Sequence, residues 1–182
     1  MEGRPLTERE LVLRAQRGDE RAFEELLRAH EQPAFRLAYV ITGNAAEGQD
    51  AAQDAAIKAW RALGRFHADR PFRPWLLQIV ANESRNRRRS AGRRAALTLR
   101  AEREPSLGDA APSPEATLLA GEERRRLLER LDALPEPARL VLACRFLLDM
   151  SEEDTAAALD VRVGTVKSRT ARALERLREM HG

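Results

Sequence analysis

Residues 162–178 carry six bases against one acid. At 100° per residue, Thr165, Ser168 and Arg172 fall on one side of a helix. Arg169 and Arg176 flank them on one edge and Lys167 on the other. Short hydroxyls beside Arg suit duplex DNA: such side chains reach base edges in the major groove, while Arg and Lys hold phosphates. Val166, Thr170, Ala173, Leu174 and Leu177 form the opposite, core-seeking face. The competing picture is a surface helix on which Glu175 and Glu179 balance the Arg. A second basic face holds Arg85 and Arg88 and runs into Arg87-Arg88-Arg89 and Arg93-Arg94. It suits a helix packed on its own domain with its back on nucleic acid, or a solvated charged tail. Hydrolytic and metal chemistry are poorly provided for. His30, His67 and His181 are far apart, and there is no HExxH, phosphate loop or GxSxG. No metal site and no cofactor are expected. Cys144 is the single cysteine, which excludes an internal disulfide and a Cys-rich zinc site. In the run Leu140-Val141-Leu142-Ala143-Cys144 it reads as a small buried apolar side chain rather than a reactive thiol.

The elements that must hold these groups are helical. The chain has 182 residues, enough for one large domain or two small ones. It contains 31 Ala and only eight aromatic residues, a helical bias that excludes an all-β sandwich. Arg numbers 30 and Lys 2 against 29 acids, leaving a net charge of +3. Host codon bias and phosphate recognition both account for the Arg excess. No apolar run approaches the ~20 residues that span a bilayer, and the N-terminus lacks the apolar core of a signal peptide. A cytoplasmic protein is expected.

Charge divides the chain. Residues 85–103 hold eight Arg and one Glu, whereas residues 104–123 hold five acids, no base, and Pro105, Pro112 and Pro114. This shift marks a flexible linker at 97–118 between domains 1–96 and 119–182. In the first domain, Thr7-Glu8-Arg9-Glu10 has capping-box spacing for a helix to about Arg17. Asp19 caps the next, with Phe23, Leu26, Leu27 and His30 on one face, and another helix follows Pro33. An Ala-rich helix runs from about Ala46 to Leu63 with Ile57, Trp60 and Leu63 on its apolar side. Phe72, Trp75, Leu76, Ile79 and Val80 then form the clearest stripe. It makes Trp75 and Phe72 packing residues rather than base-stacking platforms, and turns Leu77, Ala81, Ser84, Arg85 and Arg88 outward. In the second domain, helices are expected at 119–133, from Glu136 to about Leu148, from an N-cap at Ser151 through Leu159, and from Val163 to Met180. Short helix, tight turn and longer basic helix are the helix-turn-helix order.

Two segments together resemble a known family. One is Asp50-Ala51-Ala52-Gln53-Asp54 leading to Ala59-Trp60, Phe66, Phe72-Arg73-Pro74-Trp75-Leu76 and Asn82. The other is Leu134-Pro135-Glu136, Phe146, Ser151 and Gly164-Thr165-Val166-Lys167-Ser168-Arg169. They are similar to the second and fourth conserved regions of the extracytoplasmic-function sigma factors of bacteria, in the same order and at the usual separation. The resemblance covers about Leu11–Arg94 and Glu123–Glu179. It implies an all-α fold of two small helical domains, a region-2-like bundle and a region-4-like helix-turn-helix, joined by a flexible linker. It implies a promoter-specificity subunit without catalysis or small-molecule substrate, whose partners are core RNA polymerase, promoter DNA and an anti-sigma factor. Asp50, Gln53 and Asp54 would meet the polymerase clamp. The loop with Arg65, His67, Asp69 and Arg70 would read the melted strand near −10, with Arg85 and Arg88 on its phosphates. Thr165, Ser168, Arg169 and Arg172 would face the −35 duplex, with Lys167 and Arg176 near its backbone. Asn82 matches a recurrent family position, yet its angle places it near the core face. The linker would thread the polymerase, Glu104 and Asp109 either mimicking RNA phosphates or simply solvated. The protein would work at the nucleoid or be held at the inner membrane by its anti-sigma factor, with its free form flexible between domains.

The chain also departs from that family. Ala51 and Ala52 stand where bulky Leu or Val is usual, Asp54 where Glu is usual, and Asn86 where Asp is common. Asp160 replaces the turn Gly, and Arg162 the common N-cap Ser. A stand-alone DNA-binding repressor or activator remains the alternative, one that leaves the Asp50–Trp60 pattern unexplained.

Overall fold

The computed structural model describes residues 6–98, Leu131 and 133–180, with side chains of the fourth helix described through Arg93. Among the described residues there are seven α-helices and no strand. The first four are α1 (Glu8–Ala15), α2 (Glu20–Thr42), α3 (Ala45–Ala62) and α4 (Phe72–Thr98). Then come α5 (Glu136–Leu142), α6 (Glu152–Leu159) and α7 (Val163–Glu179). The expected helix at 119–133 and the linker at 97–118 lie outside the described residues, save Leu97, Thr98, Leu131 and Ala133.

The expected caps form. Thr7 Oγ1 accepts from Glu10 N at 3.3 Å while Glu10 returns a carboxylate to Thr7 N at 2.7 Å. Asp19 accepts from Ala22 N at 3.2 Å, and that bond holds its carboxyl below the usual range. Pro33 does not divide two helices; α2 runs straight through it. Ala29 loses one backbone donor there, and an internal Pro costs about 3 kcal/mol. The apolar face nevertheless continues from Phe23 and Leu26 to Leu37 and Ile41, all buried. Each such side chain gains about 1.5–3 kcal/mol on burial, so packing outweighs the break.

The face of α3 also differs from expectation. Gly48, Ala51, Ala55 and Ala59 are buried, whereas Ile57 is 46% exposed. Small residues let α3 lie close on α2: a Cβ on Gly48 would sit 3.1 Å from Tyr39 N and 3.2 Å from its Cα. Beyond α3, a short 3-10 turn (Leu63–Arg65) leads into the loop before α4. Gln16 fixes that loop, donating to Leu63 O at 3.0 Å and Phe66 O at 2.7 Å. Glu8 fixes its far end: one oxygen accepts from Phe72 N at 3.0 Å and the other lies 3.2 Å from His30 Nε2.

Helix α4 is enclosed on two sides. Phe72, Leu76 and Val80 are buried as the stripe requires, but so are Leu77, Ala81 and Ser84, which were expected to point outward. Their cover comes from the second domain, because α6 lies along α4. Val141, Cys144, Leu148, Met150 and Leu159 join the same continuous apolar cluster as the first bundle. The two domains thus share a core in this structure, and the expected freedom between them gives way to face-to-face packing. Arg73 adds a polar tie, donating to Leu148 O. Burial at this seam pushes the Cys144 thiol up to about 12, which suits packing and not nucleophilic chemistry.

The second domain follows its expected outline with one change. The helix from Glu136 leaves α geometry after Leu142 for a π turn over Ala143–Leu147. Leu148 N reaches back five residues to Ala143 O at 2.9 Å. Ser151 caps α6 through Asp154 N at 2.9 Å. Asp160 ends it in the left-handed region (φ 54°), and Val161 N bonds Ala156 O at 3.0 Å. Arg162 occupies the N-cap of α7 without a side-chain cap bond. Among the described residues no helix is long and apolar enough to cross a membrane.

Two stability measurements test this packing. Gly48→Val should lower the urea-derived stability by about 1–3 kcal/mol, the usual cost of overpacking, since Tyr39 backbone cannot step aside. His30 is driven below its ordinary value of 6.5 by burial, against the pull of Glu8. A depressed folded-state value means stability that is full above pH 6.5 and lost as pH falls through the folded value. The urea midpoint should therefore decline below about pH 6.5, and His30→Gln should flatten that decline.

Candidate nucleic-acid interface

On α7 the sequence-derived faces hold. Val166 and Ala173 are fully buried, and Leu174 and Leu177 pack beside Leu131, Leu134 and Leu142. Lys167, Ser168, Arg172 and Arg176 are exposed, while Thr165 and Arg169 are half-buried at the edge of the same face. Arg172 lies along the helix, its Nε 3.1 Å from Ser168 O and its Nη2 3.3 Å from Ser168 Oγ. Ser168 Oγ donates to Thr165 O at 3.2 Å. Lys167 Nζ sits 3.4 Å from Glu152. These contacts are exposed and exchange readily with water, so the face can turn its donors to a groove.

The loop before α4 makes the second basic surface. Arg65, His67, Asp69 and Arg70 are all exposed. Asp69 is held by Arg9 Nε at 2.9 Å, which ties the loop to α1. Arg65, His67 and Arg70 edge a cleft of about 420 Å³ whose floor includes Phe66 and Trp75. Phe66 and Trp75 stack with ring centres 4.6 Å apart, and Phe72 lies 5.4 Å from Trp75. Phe72 is purely a core residue, but Trp75 is half-buried and shows one side to the cleft. An aromatic surface edged by two arginines is suited to an unstacked base and its phosphates. Asp154 and Ala157 of α6, and Asp160 at its end, also line the cleft.

Arg85 and Arg88 lie one turn apart on α4 and point to the same carboxylate. Arg85 Nε donates to Glu136 Oε1 at 3.1 Å, and Arg88 Nη2 bonds Glu136 Oε2. Asn82, expected near the core, is exposed and accepts from Arg85 Nη1 at 3.5 Å. The core stripe passes through Val80, Ala81 and Ser84 instead, leaving position 82 outside.

The third group sits on α3. Gln53 and Asp50 are exposed and Asp54 is half-buried. Asp50 and Asp54 are not free acids awaiting a partner. Arg87 Nη2 contacts Asp54 at 2.8 Å, and Arg87 Nη1 contacts Asp50 at 3.0 Å and Glu47 at 3.4 Å. The Asp54 bond, opposed by burial, leads the effects that push the guanidinium value up. Sequence reasoning missed both Arg87 and Glu136 as partners. Arg87 is one of three consecutive Arg, with nothing local to single it out, and Glu136 meets Arg85 across 51 residues.

Comparison with known proteins agrees across the chain. The Sigma-70 region 2 family matches residues 26–94, and the Sigma-70, region 4 family matches residues 124–177. The chain is 37% identical over 174 residues to the RNA polymerase sigma-H factor of Pseudomonas aeruginosa, covering 92% of this chain and 90% of the relative. It is 36% identical over 178 residues to the ECF RNA polymerase sigma-E factor of Escherichia coli, covering 93% and 92%. Among solved structures, CnrH in complex with the cytosolic domain of CnrY superposes with a TM-score of 0.73 at 27% identity, covering 95% of this chain and 96% of that one. The sigma factor RpoE of Bartonella quintana, in complex with the anti-sigma factor NepR, gives 0.68 at 25% identity over 86% and 94%.

The Arg87 contact lends itself to a double-mutant cycle. Arg87→Ala and Asp54→Ala should show a coupling of about 0.5–1 kcal/mol in urea titrations, as for partly exposed charge pairs. Near 1 M salt, where the screening length is about 3 Å, most of it should vanish.

Proposed function

The chain belongs to the extracytoplasmic-function sigma factors, and from that premise we propose how its surfaces divide the work. The sigma factor binds core RNA polymerase and directs initiation at particular promoters through their −10 and −35 elements. The first domain, 1–96, engages the polymerase through Asp50, Gln53 and Asp54. It holds the melted −10 strand with Arg65, His67, Asp69 and Arg70, and its phosphates with Arg85 and Arg88. The linker, 97–118, connects it to the second domain, 119–182. There Thr165, Ser168, Arg169 and Arg172 face the −35 groove, with Lys167 and Arg176 on the backbone. The polymerase carries the chemistry; no catalytic step belongs to this chain. The site of action is the nucleoid.

The observation that carries this division is the polar face of α7, set on a helix-turn-helix whose apolar side buries Val166 and Ala173. An isolated DNA-binding regulator would use the same face but leaves the α3 acids and the aromatic cleft without a task. Control by an anti-sigma factor is supported by the likeness to CnrH and RpoE, each solved with a protein partner. Such a partner would also provide for membrane retention.

Run-off transcription with purified core polymerase and host DNA fragments tests the proposal. The wild-type chain should yield discrete new transcripts. Arg169→Ala with Arg172→Ala should reduce them about 10- to 100-fold, since a lost base contact costs about 1–3 kcal/mol. Binding to core polymerase should survive that change but weaken in Asp50→Ala with Asp54→Ala. No transcripts together with no binding to core polymerase would sink the division.

A further inference from the structure

Helix α1 precedes the residues matched by the region 2 family, which begin at 26. Its apolar side, Leu11, Val12 and Ala15, is buried, and the helix packs on α2. Its two ends both reach the loop that carries Arg65, His67 and Arg70. At the C-terminal end, the amide nitrogen of Gln16 donates to two carbonyls, Leu63 O at 3.0 Å and Phe66 O at 2.7 Å. At the N-terminal end, Glu8 Oε1 accepts from Phe72 N at 3.0 Å. Phe72 opens α4, so the carboxylate takes an orphan N–H at the positive end of the helix dipole. The other oxygen of Glu8 lies 3.2 Å from Nε2 of the buried His30, which anchors it on α2. Eight helical residues span about 12 Å, and the two ties bracket residues 63–72. The loop has little else to hold it. Between Gly64 and Pro71 only Phe66 is buried, and Ala68 is half-buried. Arg9 and Asp69 make a third contact at 2.9 Å, but their side chains are 63% and 81% exposed, so it exchanges with water.

We propose that Gln16 and Glu8 are positioning residues for −10 recognition, and that α1 is a strut holding the base-accepting loop in shape before the strand arrives. The proposal rests on the −10 role assigned above to Arg65, His67 and Arg70. Both residues act on backbone atoms of the loop and its exit, so they carry no base preference of their own. A loop held in this way does not have to be ordered when the strand binds, and the cost of that ordering is not subtracted from affinity. The points held are Phe66 and Phe72, whose rings lie 4.6 Å and 5.4 Å from that of Trp75 on the cleft floor. The ties therefore place the aromatic floor and its cationic edge together. Asp50 and Asp54 on α3 pair with Arg87 instead, so polymerase binding does not depend on the strut.

The test is run-off transcription by the full-length chain, saturated with core polymerase, while the host DNA fragments are titrated. The half-saturating DNA concentration reads capture of the promoter; the yield at saturating DNA reads how much active factor is present. Gln16→Ala and Glu8→Ala should each raise the half-saturating concentration about 3- to 10-fold, the factor for ordering one or two side chains on binding. Yield at saturation and binding to core polymerase should be kept. Glu8→Gln retains an acceptor oxygen for Phe72 N and should restore the wild-type value. Arg14→Ala, an α1 change whose lost partner is Asp19 rather than the loop, should leave it unmoved. Lower yield and weaker core binding with an unmoved half-saturating concentration would overturn the strut, because damage to the whole domain acts that way. An equal shift in Arg14→Ala would overturn it too. Wild-type transcripts with no shift in either Ala variant would sink the strut alone. No transcripts from the wild-type chain would sink the promoter reading and the strut with it.

Discussion

Helix α4 must satisfy two neighbours at once. Its buried residues run around about half of its circumference, from Phe72, Leu76 and Val80 to Leu77, Ala81 and the small polar Ser84. A helix with so wide a dry surface cannot rest on one bundle and turn its back to water. Covering only the α2–α3 side would leave Leu77 and Ala81 exposed, which explains why α6 settles along that flank. The Arg residues that begin at position 85 lie just beyond this dry stretch, where long stems can run along apolar surface and place their charge at its rim. The placement of both domains, and the pairing of the basic residues with acids, follow from this one helix.

Much of this was legible in the sequence because it was local. Capping at Thr7, Asp19 and Ser151 depends on residues three apart, and the helix-turn-helix order depends on one short turn. The polar and apolar sides of α7 came directly from its periodicity. The misreadings have a common origin in packing between distant segments. Pro33 looked like a boundary because its local cost is visible and the burial that offsets it is not. Ile57 looked like core because it is large, yet the buried side of α3 is Gly48, Ala51, Ala55 and Ala59, which give almost no hydrophobic signal. Leu77 and Ala81 were assigned to the outer side because one stripe already satisfied the helix rule, and nothing local announces a second partner. The candidate site was readable to the same depth: which of its residues stand at the surface could largely be read from the sequence, but their internal partners could not.

Those partners give the charge distribution its meaning. A net charge of +3 hides two clusters in which acids and arginines answer each other across the fold. On α3, Asp50, Asp54 and Glu47 converge on Arg87. At the seam, Glu136 serves Arg85 and Arg88. The acidic face of α3 and the Arg85–Arg88 face of α4 are therefore already engaged in weak, exchangeable contacts. Any partner binds by substitution, so the net gain is the difference between two similar interactions. This favours discrimination between partners over raw strength.

The small-residue seam between α2 and α3 limits how this protein can exchange parts with its relatives. A bulky side chain at position 51 would need the two helices set further apart. Ala51 has no exposed surface here, and Gly48 already touches Tyr39 backbone. Transplanting a relative's α3 as a cassette would wedge the two helices apart and carry Asp50 and Asp54 away from Arg87. Hybrid factors assembled from this chain should therefore inherit α2, α3 and α4 as one indivisible block.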